Sequence, residues 1–343
     1  METCEQLQDA FDSTKTEDVV IQLDPWSNFD CVNFTTMNMD SNTLTVESSD
    51  GAHNADAHVD LTNVRFEVTN GAKMVWKLNV QFHGTGVQDV NGGAVFVGEG
   101  STVRFEYDLR TTDVGVRSVA DNGDFSSYQL RGGCVYTDGY FRVDGMAAFI
   151  RCEVGGGGES SPGPGGALYV GEKGSVLFND KLEISEVSII DDDGNNGGGI
   201  YNKGKVNIKG DAIFDDLRAE GGGAIFNAVG AQFRFRNKAT ALFKDCYAHD
   251  DYGGALYNEG YFKFAGAALF VNTDAPSIYV SSNGETVLSE DSVFWDHDDY
   301  FETYPAILVA SGGKVEVPSS VVFYDNDDSD CSTVYYQEDD TCL

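Results

Sequence analysis

A glycine-rich pentapeptide that recurs through the chain constrains the fold more than any other feature of the sequence. It consists of two glycines, a small residue, an aliphatic residue and an aromatic residue, as in residues 165–169. Regular copies begin at Gly92, Gly132, Gly165, Gly197, Gly222 and Gly253, and degenerate copies occupy residues 276–279 and 305–308. A repeat spaced at about thirty residues predicts a solenoid in which each copy belongs to one coil.

Phenylalanine recurs in phase with this pentapeptide, usually after an apolar residue. The positions are Phe149, Phe178, Phe214, Phe243, Phe270, Phe294 and Phe323. Two repeats with one period predict that every coil holds a phenylalanine at the same depth, so that these seven rings form an internal stack.

The apolar segments inside each repeat have the length of strands. Residues 255–270 read Ala-Leu-Tyr, Tyr-Phe-Lys-Phe and Ala-Ala-Leu-Phe, separated by Asn-Glu-Gly and Ala-Gly turns. Such short segments satisfy their backbone hydrogen bonds by pairing in parallel with the coils above and below. Paired glycines suit corners with positive φ or with close approach to a neighbouring coil. The predicted fold class is all-β, a single-domain right-handed parallel β-helix with short terminal caps.

The predicted domain spans residues 1–343. Residues 1–60 are assigned to an N-terminal cap and the first irregular coils, 61–325 to regular coils, and 326–343 to a C-terminal cap. Residues 5–13 form the one helix that the sequence predicts, and we place it in the N-terminal cap because a solenoid needs its first open edge covered.

The seven cysteines favour disulfides and an oxidising compartment, so we expect the protein outside the cell or at its surface. The disulfide candidates are Cys4, Cys31, Cys134, Cys152, Cys331 and Cys342. The odd count leaves one thiol free or paired outside the chain, and Cys246 is our prediction for it. Asn33, in an Asn-Phe-Thr triplet, is a candidate glycosylation site on the same route.

The net charge of −34 limits the partners that the protein can have. It repels nucleic acid phosphates and anionic lipids, and no apolar stretch approaches the ~20 residues of a membrane span, so neither nucleic acid binding nor membrane insertion is expected. Two acidic loops, residues 191–196 and 325–330, are interpreted as solvated surface, with calcium binding as the alternative. The candidate calcium ligands are Asp191, Asp193, Asp325 and Asp327. No other cofactor is predicted.

The repeats resemble the GGA[ILV] and FxxN repeats of polymorphic outer membrane proteins and, more broadly, the right-handed β-helices of the pectin-lyase-like class. The resemblance covers about residues 92–323. The copies at Gly92, Gly165, Gly222 and Gly253 match the first motif, whereas the asparagine of the second is mostly replaced by aspartate or lost. The resemblance implies a secreted or surface-exposed β-helix with an adhesive or structural role, and it implies fold more directly than role.

Polysaccharide lyases and inverting glycoside hydrolases of this class provide an alternative, enzymatic interpretation. The segment ending at Asp274 is similar to the Asn-Thr-Asp motif of polygalacturonases, Asp298 begins an Asp-Asp pair, and Asp296 lies in a segment similar to one of pectate lyases. Two carboxylates about 6.5–9.5 Å apart can serve as acid and base in inverting cleavage. The His-Gly and Arg-Ile-Lys motifs that should follow are missing, and Lys314 is the one basic residue downstream.

We therefore expect a non-catalytic module that is structural, adhesive or ligand-presenting and that contacts extracellular glycans or surface proteins. The polysaccharide-active enzyme is the alternative. The tryptophans Trp26, Trp76 and Trp295 are interpreted as residues that cover an edge of the core, with stacking on sugars as the alternative.

Overall fold

The computed structural model describes residues 3–49, 57–84, 87–88, 90–117, 130–155, 164–190, 196–236, 239–249, 253–274, 276–297, 305–326, 333–338 and 341–342. These residues contain one helix, α1 (Cys4–Ser13), followed by strands only.

The first strands are β1 (Val19–Leu23), β2 (Ser27–Met39), β3 (Thr43–Ser48), β4 (His58–Val68), β5 (Lys73–Trp76), β6 (Asn79–His83), β7 (Val87–Gln88), β8 (Val95–Val97), β9 (Thr102–Phe105), β10 (Leu109–Thr112), β11 (Gly115–Arg117) and β12 (Val135–Thr137). The next are β13 (Tyr140–Val143), β14 (Ala147–Ile150), β15 (Glu153–Gly155), β16 (Leu168–Val170), β17 (Ser175–Phe178), β18 (Leu182–Ile190), β19 (Ile200–Asn202), β20 (Lys205–Ile208), β21 (Ala212–Ala219), β22 (Ile225–Asn227), β23 (Gln232–Phe235) and β24 (Ala241–Ala248). The last are β25 (Leu256–Asn258), β26 (Tyr261–Phe264), β27 (Ala268–Val271), β28 (Ile278–Val280), β29 (Glu285–Val287), β30 (Val293–His297), β31 (Ile307–Val309), β32 (Lys314–Glu316), β33 (Val322–Asn326), β34 (Val334–Tyr336) and β35 (Thr341–Cys342).

Most of these strands stack in three long parallel ladders. The short strands β7, β11 and β15 form a further parallel ladder that ends on β18, and β35 pairs antiparallel with β34. Ladder 1 is β1-β3-β5-β9-β13-β17-β20-β23-β26-β29-β32. Ladder 2 is β2-β4-β6-β10-β14-β18-β21-β24-β27-β30-β33. Ladder 3 begins with the ends of β2 and β4 and continues through β8-β12-β16-β19-β22-β25-β28-β31-β34. The predicted all-β parallel solenoid is confirmed, whereas its hand and its division into a single domain with caps stay predictions.

The interior of ladder 2 contains the phenylalanine stack that the sequence predicts. Ring centroids are 4.9 Å apart between Phe214 and Phe243 and between Phe243 and Phe270, with interplanar angles of 4° and 5°. The stack continues through Phe294 to Phe323 at 4.4 and 5.0 Å. Stacked aromatic rings at this spacing gain dispersion energy in addition to the burial of their apolar area.

The prediction that Phe178 belongs to this stack is wrong. Phe178 lies in ladder 1, where its register partners are Val143 and Ile208, and Ile184 occupies the corresponding position of ladder 2. Phe178 meets Phe149 edge-on across the interior at 6.1 Å. Both ladders place a phenylalanine inward after an apolar residue, so the one-dimensional spacing alone could not distinguish them.

A ladder of buried asparagines lies where ladder 3 turns into ladder 1. The Nδ2 atom of Asn202 donates to Oδ1 of Asn227 at 2.8 Å, and Nδ2 of Asn227 donates to Oδ1 of Asn258 at 2.8 Å. Asn258 in turn donates to the hydroxyl of Thr286 at 2.8 Å. Since buried polar groups are costly unless they are hydrogen-bonded, this ladder fixes the register of four consecutive coils.

The glycine pairs lie where neighbouring coils approach most closely. A Cβ atom at Gly198 would collide with the carbonyl oxygen of Gly223, and a Cβ atom at Gly223 would collide with that of Gly254. The first glycine of the pair has positive φ, as at Gly222 with +62°. The repeat therefore requires glycine at both positions, for conformation at the first and for space at the second.

The helix predicted near the N-terminus is present and packs against the first coils. Thr3 caps it with a hydrogen bond from the backbone of Gln6. Phe11 is fully buried and stacks on Phe66 at 5.1 Å. The disulfide between Cys4 and β2 at Cys31 ties the helix to the solenoid.

Candidate functional site

The outer face of ladder 2 carries an apolar patch near the C-terminal end of the solenoid. Alternation along β30 points Phe294 into the core and Trp295 outward. Strand register aligns the outward residues into two columns that run along the axis. The first column contains Leu242, Leu269, Val293 and Val322, and the second contains Lys244, Val271, Trp295 and Tyr324.

Trp295 and Tyr324 are the most prominent residues of this patch, and we call them the aromatic pair. Their rings lie 5.3 Å apart between centroids at an interplanar angle of 64°. Both side chains are about half exposed, at 49% and 53%. An edge-to-face arrangement leaves much of each ring face open, so the pair can receive the apolar face of a ligand.

A polar rim adjoins the apolar patch. The Nζ atom of Lys244 lies 3.2 Å from Oδ1 of Asp215 and 2.8 Å from Oδ2 of Asp245. The hydrogen bond from Lys244 lowers the pKa of Asp245, and hydrogen bonds to Asp245 and Asp215 raise the pKa of Lys244. Asn272 donates a further hydrogen bond to Asp245. These groups stay charged at neutral pH and supply hydrogen-bonding partners beside the patch.

The aromatic residues of the glycine repeat form a different surface. Phe96, Tyr136, Tyr169, Tyr201, Phe226 and Tyr257 stack along the outside of ladder 3, with successive centroids 4.8–5.3 Å apart. Desolvation raises the pKa of Tyr201 to about 12. Because each ring covers the face of its neighbour, this column presents ring edges and offers little flat surface to a ligand.

The three tryptophans, which the sequence predicts to cover an edge of the core, differ in exposure. Trp76 is fully buried, whereas Trp26 and Trp295 are among the exposed large apolar side chains, Trp26 at 71%. The short windows around these two residues do not reveal their exposure, since alternation identifies the outward face only once the register of the strand is known.

The residues of the enzymatic alternative are only partly described. Asp274 is a corner residue whose Oδ2 accepts a hydrogen bond from the backbone of Ala248 at 3.2 Å. Asp296 lies in β30 of ladder 2, but its side chain, like all of Asp298, lies outside the described residues. Lys314 begins β32 of ladder 1, opposite Glu285. An acid–base arrangement of these residues stays a prediction.

The candidate calcium ligands lie outside what the structure describes. This holds for Asp191, Asp193 and Asp327 as whole residues and for the side chain of Asp325 in β33. Elsewhere in the described chain, no three His, Cys, Asp or Glu side chains are grouped to hold a metal ion. Calcium binding by the acidic loops therefore stays a prediction.

The structure includes four of the disulfide candidates in two disulfides and places the candidate glycosylation site on an exposed strand position. Disulfides join Cys4 to Cys31 and Cys134 to Cys152, with Cα–Cα distances of 5.6 and 5.5 Å. Cys342 is also disulfide-bonded, and Cys331 lies outside the described residues. Cys246 is a buried free thiol whose pKa is raised by desolvation. Asn33 is exposed on β2.

No protein-family model and no curated protein matches the sequence. A solved structure, a TibC-catalysed hyper-glycosylated TibA fragment, aligns over 93% of this chain and 98% of its own length, at 13% identity and a TM-score of 0.24. A likeness of this size does not bear on function. The described residues contain no helix with the length and hydropathy of a membrane span.

Proposed function

We propose that this protein is an extracellular, non-catalytic module that binds neutral glycans through the aromatic pair. The observation that carries the proposal is the half-exposed, edge-to-face arrangement of Trp295 and Tyr324 on a regular sheet face. Aromatic residues with open faces are typical anchors of binding surfaces, because burying them removes a large apolar area at little entropic cost.

The geometry of ladder 2 suits an extended saccharide chain. The two columns repeat at the strand spacing of about 4.8 Å. This spacing is slightly shorter than the advance of one residue in an extended β-1,4-linked pyranose chain. The aliphatic residues of the patch extend the apolar surface along the axis from Trp295 towards Leu242. The rim at Lys244 and Asp245 supplies charged hydrogen-bonding groups for ring hydroxyls.

Charge favours a neutral ligand. The net charge of −34 repels polyuronates and other anionic polymers, and it also disfavours pairing of two copies through this face. The disulfides support an extracellular location, where neutral glycans are abundant, because such bonds persist in oxidising compartments.

Isothermal titration with cellohexaose, laminarihexaose, mannohexaose and chitohexaose tests the proposal. We expect saturable binding to at least one of them and an affinity about 30-fold weaker at the aromatic pair in Trp295→Ala, which corresponds to a loss of about 2 kcal/mol for an aromatic anchor. Val20→Ala is the matched control, because Val20 is an apolar residue that is 61% exposed in ladder 1. A titration curve that Trp295→Ala leaves unchanged would contradict the proposed site.

Reducing-end release separates this proposal from the enzymatic alternative. We expect no release of new reducing ends from the same oligosaccharides or from polygalacturonate, with or without calcium. Steady release that Asp274→Asn abolishes would overturn the non-catalytic assignment.

A further inference from the structure

A second exposed tryptophan lies near the opposite end of the solenoid, beside a polar cluster. Trp26 is 71% exposed and precedes β2 with φ of +71°. This left-handed conformation is uncommon for a bulky residue and costs conformational energy. Strain of this kind at an exposed residue is frequent at functional sites.

Three partly exposed polar side chains accompany Trp26, and we call the four residues the tryptophan cluster. The ring centroid of Trp26 lies 6.1 Å from that of His58. The Nε2 atom of His58 lies 2.7 Å from Oδ1 of Asp60, and Nε2 of His83 lies 3.7 Å from the same oxygen. An indole surface beside a carboxylate and two imidazoles combines an apolar platform with hydrogen-bond donors and acceptors.

The tryptophan cluster lies on the same outer face as the aromatic pair, and two of its residues lie in the same two columns. His83 belongs to the column that leads through Lys244 to Trp295, and Asp60 belongs to the column that leads to Val293. Between β2 and β30 lie nine strand spacings of about 4.8 Å, roughly 43 Å along the axis. One face of the solenoid thus carries two aromatic surfaces at a fixed separation.

We propose that the tryptophan cluster is a second site for neutral glycans, at which Trp26 packs on a pyranose ring and Asp60 accepts hydrogen bonds from neighbouring hydroxyls. The proposal rests on the glycan binding proposed for the aromatic pair, and it adds that a polymeric glycan engages both ends of one molecule. Binding at two linked sites raises the apparent affinity for a polymer by a factor of order 10² or more, whereas a short oligosaccharide occupies one site at a time.

Intrinsic fluorescence of the double variant Trp295→Ala/Tyr324→Ala tests the second site directly. This variant retains Trp76, which is fully buried, and Trp26, so a glycan-dependent change in emission reports on Trp26. We expect a saturable change with the hexasaccharide that wild type binds, and its loss on adding Asp60→Ala. No change at saturating hexasaccharide would overturn the second site.

Trp26→Gly separates a binding role from a structural one. Glycine accepts positive φ without strain, and this gain offsets the larger conformational entropy that glycine gives the unfolded chain, so we expect thermal stability close to that of wild type. We also expect retention on the insoluble polymer of the hexasaccharide that wild type binds to fall at least about tenfold, because the variant keeps only one of the two linked sites. Unchanged retention, or a marked fall in melting temperature, would contradict the proposal.

The two proposals fail in different ways. If wild type binds none of the four hexasaccharides, the function proposed for the aromatic pair fails, and the second site fails with it. If wild type binds a hexasaccharide and Trp295→Ala weakens that binding, but the fluorescence of Trp26 in the double variant does not change, only the second site is wrong.

Discussion

Replacement of the second glycine of a repeat tests how closely the coils are packed. In Gly223→Ala the new Cβ would meet the carbonyl oxygens of Gly254 and Tyr247, and its third neighbour would be the carbonyl carbon of Tyr247 at 2.8 Å. These atoms belong to the next coil, whose distance is fixed by parallel hydrogen bonding of the strands on either side. Overpacking against such rigid backbone costs about 3 kcal/mol, at the upper end of the usual range.

Gly230→Ala is the matched control, because it adds the same methyl group to the solenoid where nothing lies within 4 Å. Gly230 has φ of +78°, so its replacement costs about 1 kcal/mol of backbone strain without a clash. Urea denaturation followed by circular dichroism, with amide hydrogen exchange around the site, measures both changes. A loss for Gly223→Ala no larger than that for Gly230→Ala would refute the packing explanation.

Three further predictions concern the interior, the cap and acid sensitivity. Asn227→Ala should lower the free energy of unfolding by about 2–3 kcal/mol in urea titrations, because it removes two buried hydrogen bonds and one that is partly buried. A loss below about 0.5 kcal/mol would contradict this prediction. Replacing Cys4 and Cys31 by serine should lower the free energy of unfolding by about 3 kcal/mol, because the disulfide joins residues that are 27 positions apart in the sequence. Amide hydrogen exchange should become faster in α1 than elsewhere. An equal acceleration along the whole chain would contradict the view that this disulfide holds the helix to the solenoid. The hydrogen bond from Arg151 lowers the pKa of Asp113 in the folded state below its value in the unfolded chain. This ion pair therefore stabilises the fold at pH values above the unfolded pKa, and the stabilisation is lost as the pH falls through the folded pKa. Melting temperatures across pH should show Asp113→Asn less stable than wild type at pH 7 and equal to it in strong acid.

The fold was predictable from the sequence because the spacing of the repeats along the chain indicates one coil per repeat. The glycine pairs and the phenylalanines recur once per coil, and Phe214, Phe243 and Phe270 stack as that period requires. The spacing of the phenylalanines alone does not show to which ladder each one belongs. Phe178 followed the spacing of ladder 2 but belongs to ladder 1, because both ladders place phenylalanine inward.

The asparagine ladder was within reach of the sequence but was not predicted. Asn202, Asn227 and Asn258 each follow the aromatic residue of a glycine repeat. We interpreted Asn258 as part of a turn, which is the usual role of asparagine between strands. Its recurrence at one position in three successive coils is the signal that distinguishes a buried ladder from a turn residue.

The candidate site was less predictable than the fold. Trp295 and Tyr324 lie in different repeats, and only strand register shows that they are neighbours on an outer face. The tryptophan cluster likewise assembles residues from β4 and β6 with Trp26 ahead of β2. Contacts between coils depend on loop lengths that vary from repeat to repeat, so a linear spacing does not reveal them.

Fluorine NMR of protein labelled with 5-fluorotryptophan tests the central claim most directly, because the three tryptophans occupy three different environments. Trp295 is exposed on ladder 2, Trp26 is exposed just ahead of β2, and Trp76 is buried in ladder 1. The account predicts that a neutral hexasaccharide shifts the resonance of Trp295 saturably, shifts that of Trp26, and leaves that of Trp76 in place. A Trp295 resonance that no neutral glycan moves would contradict it.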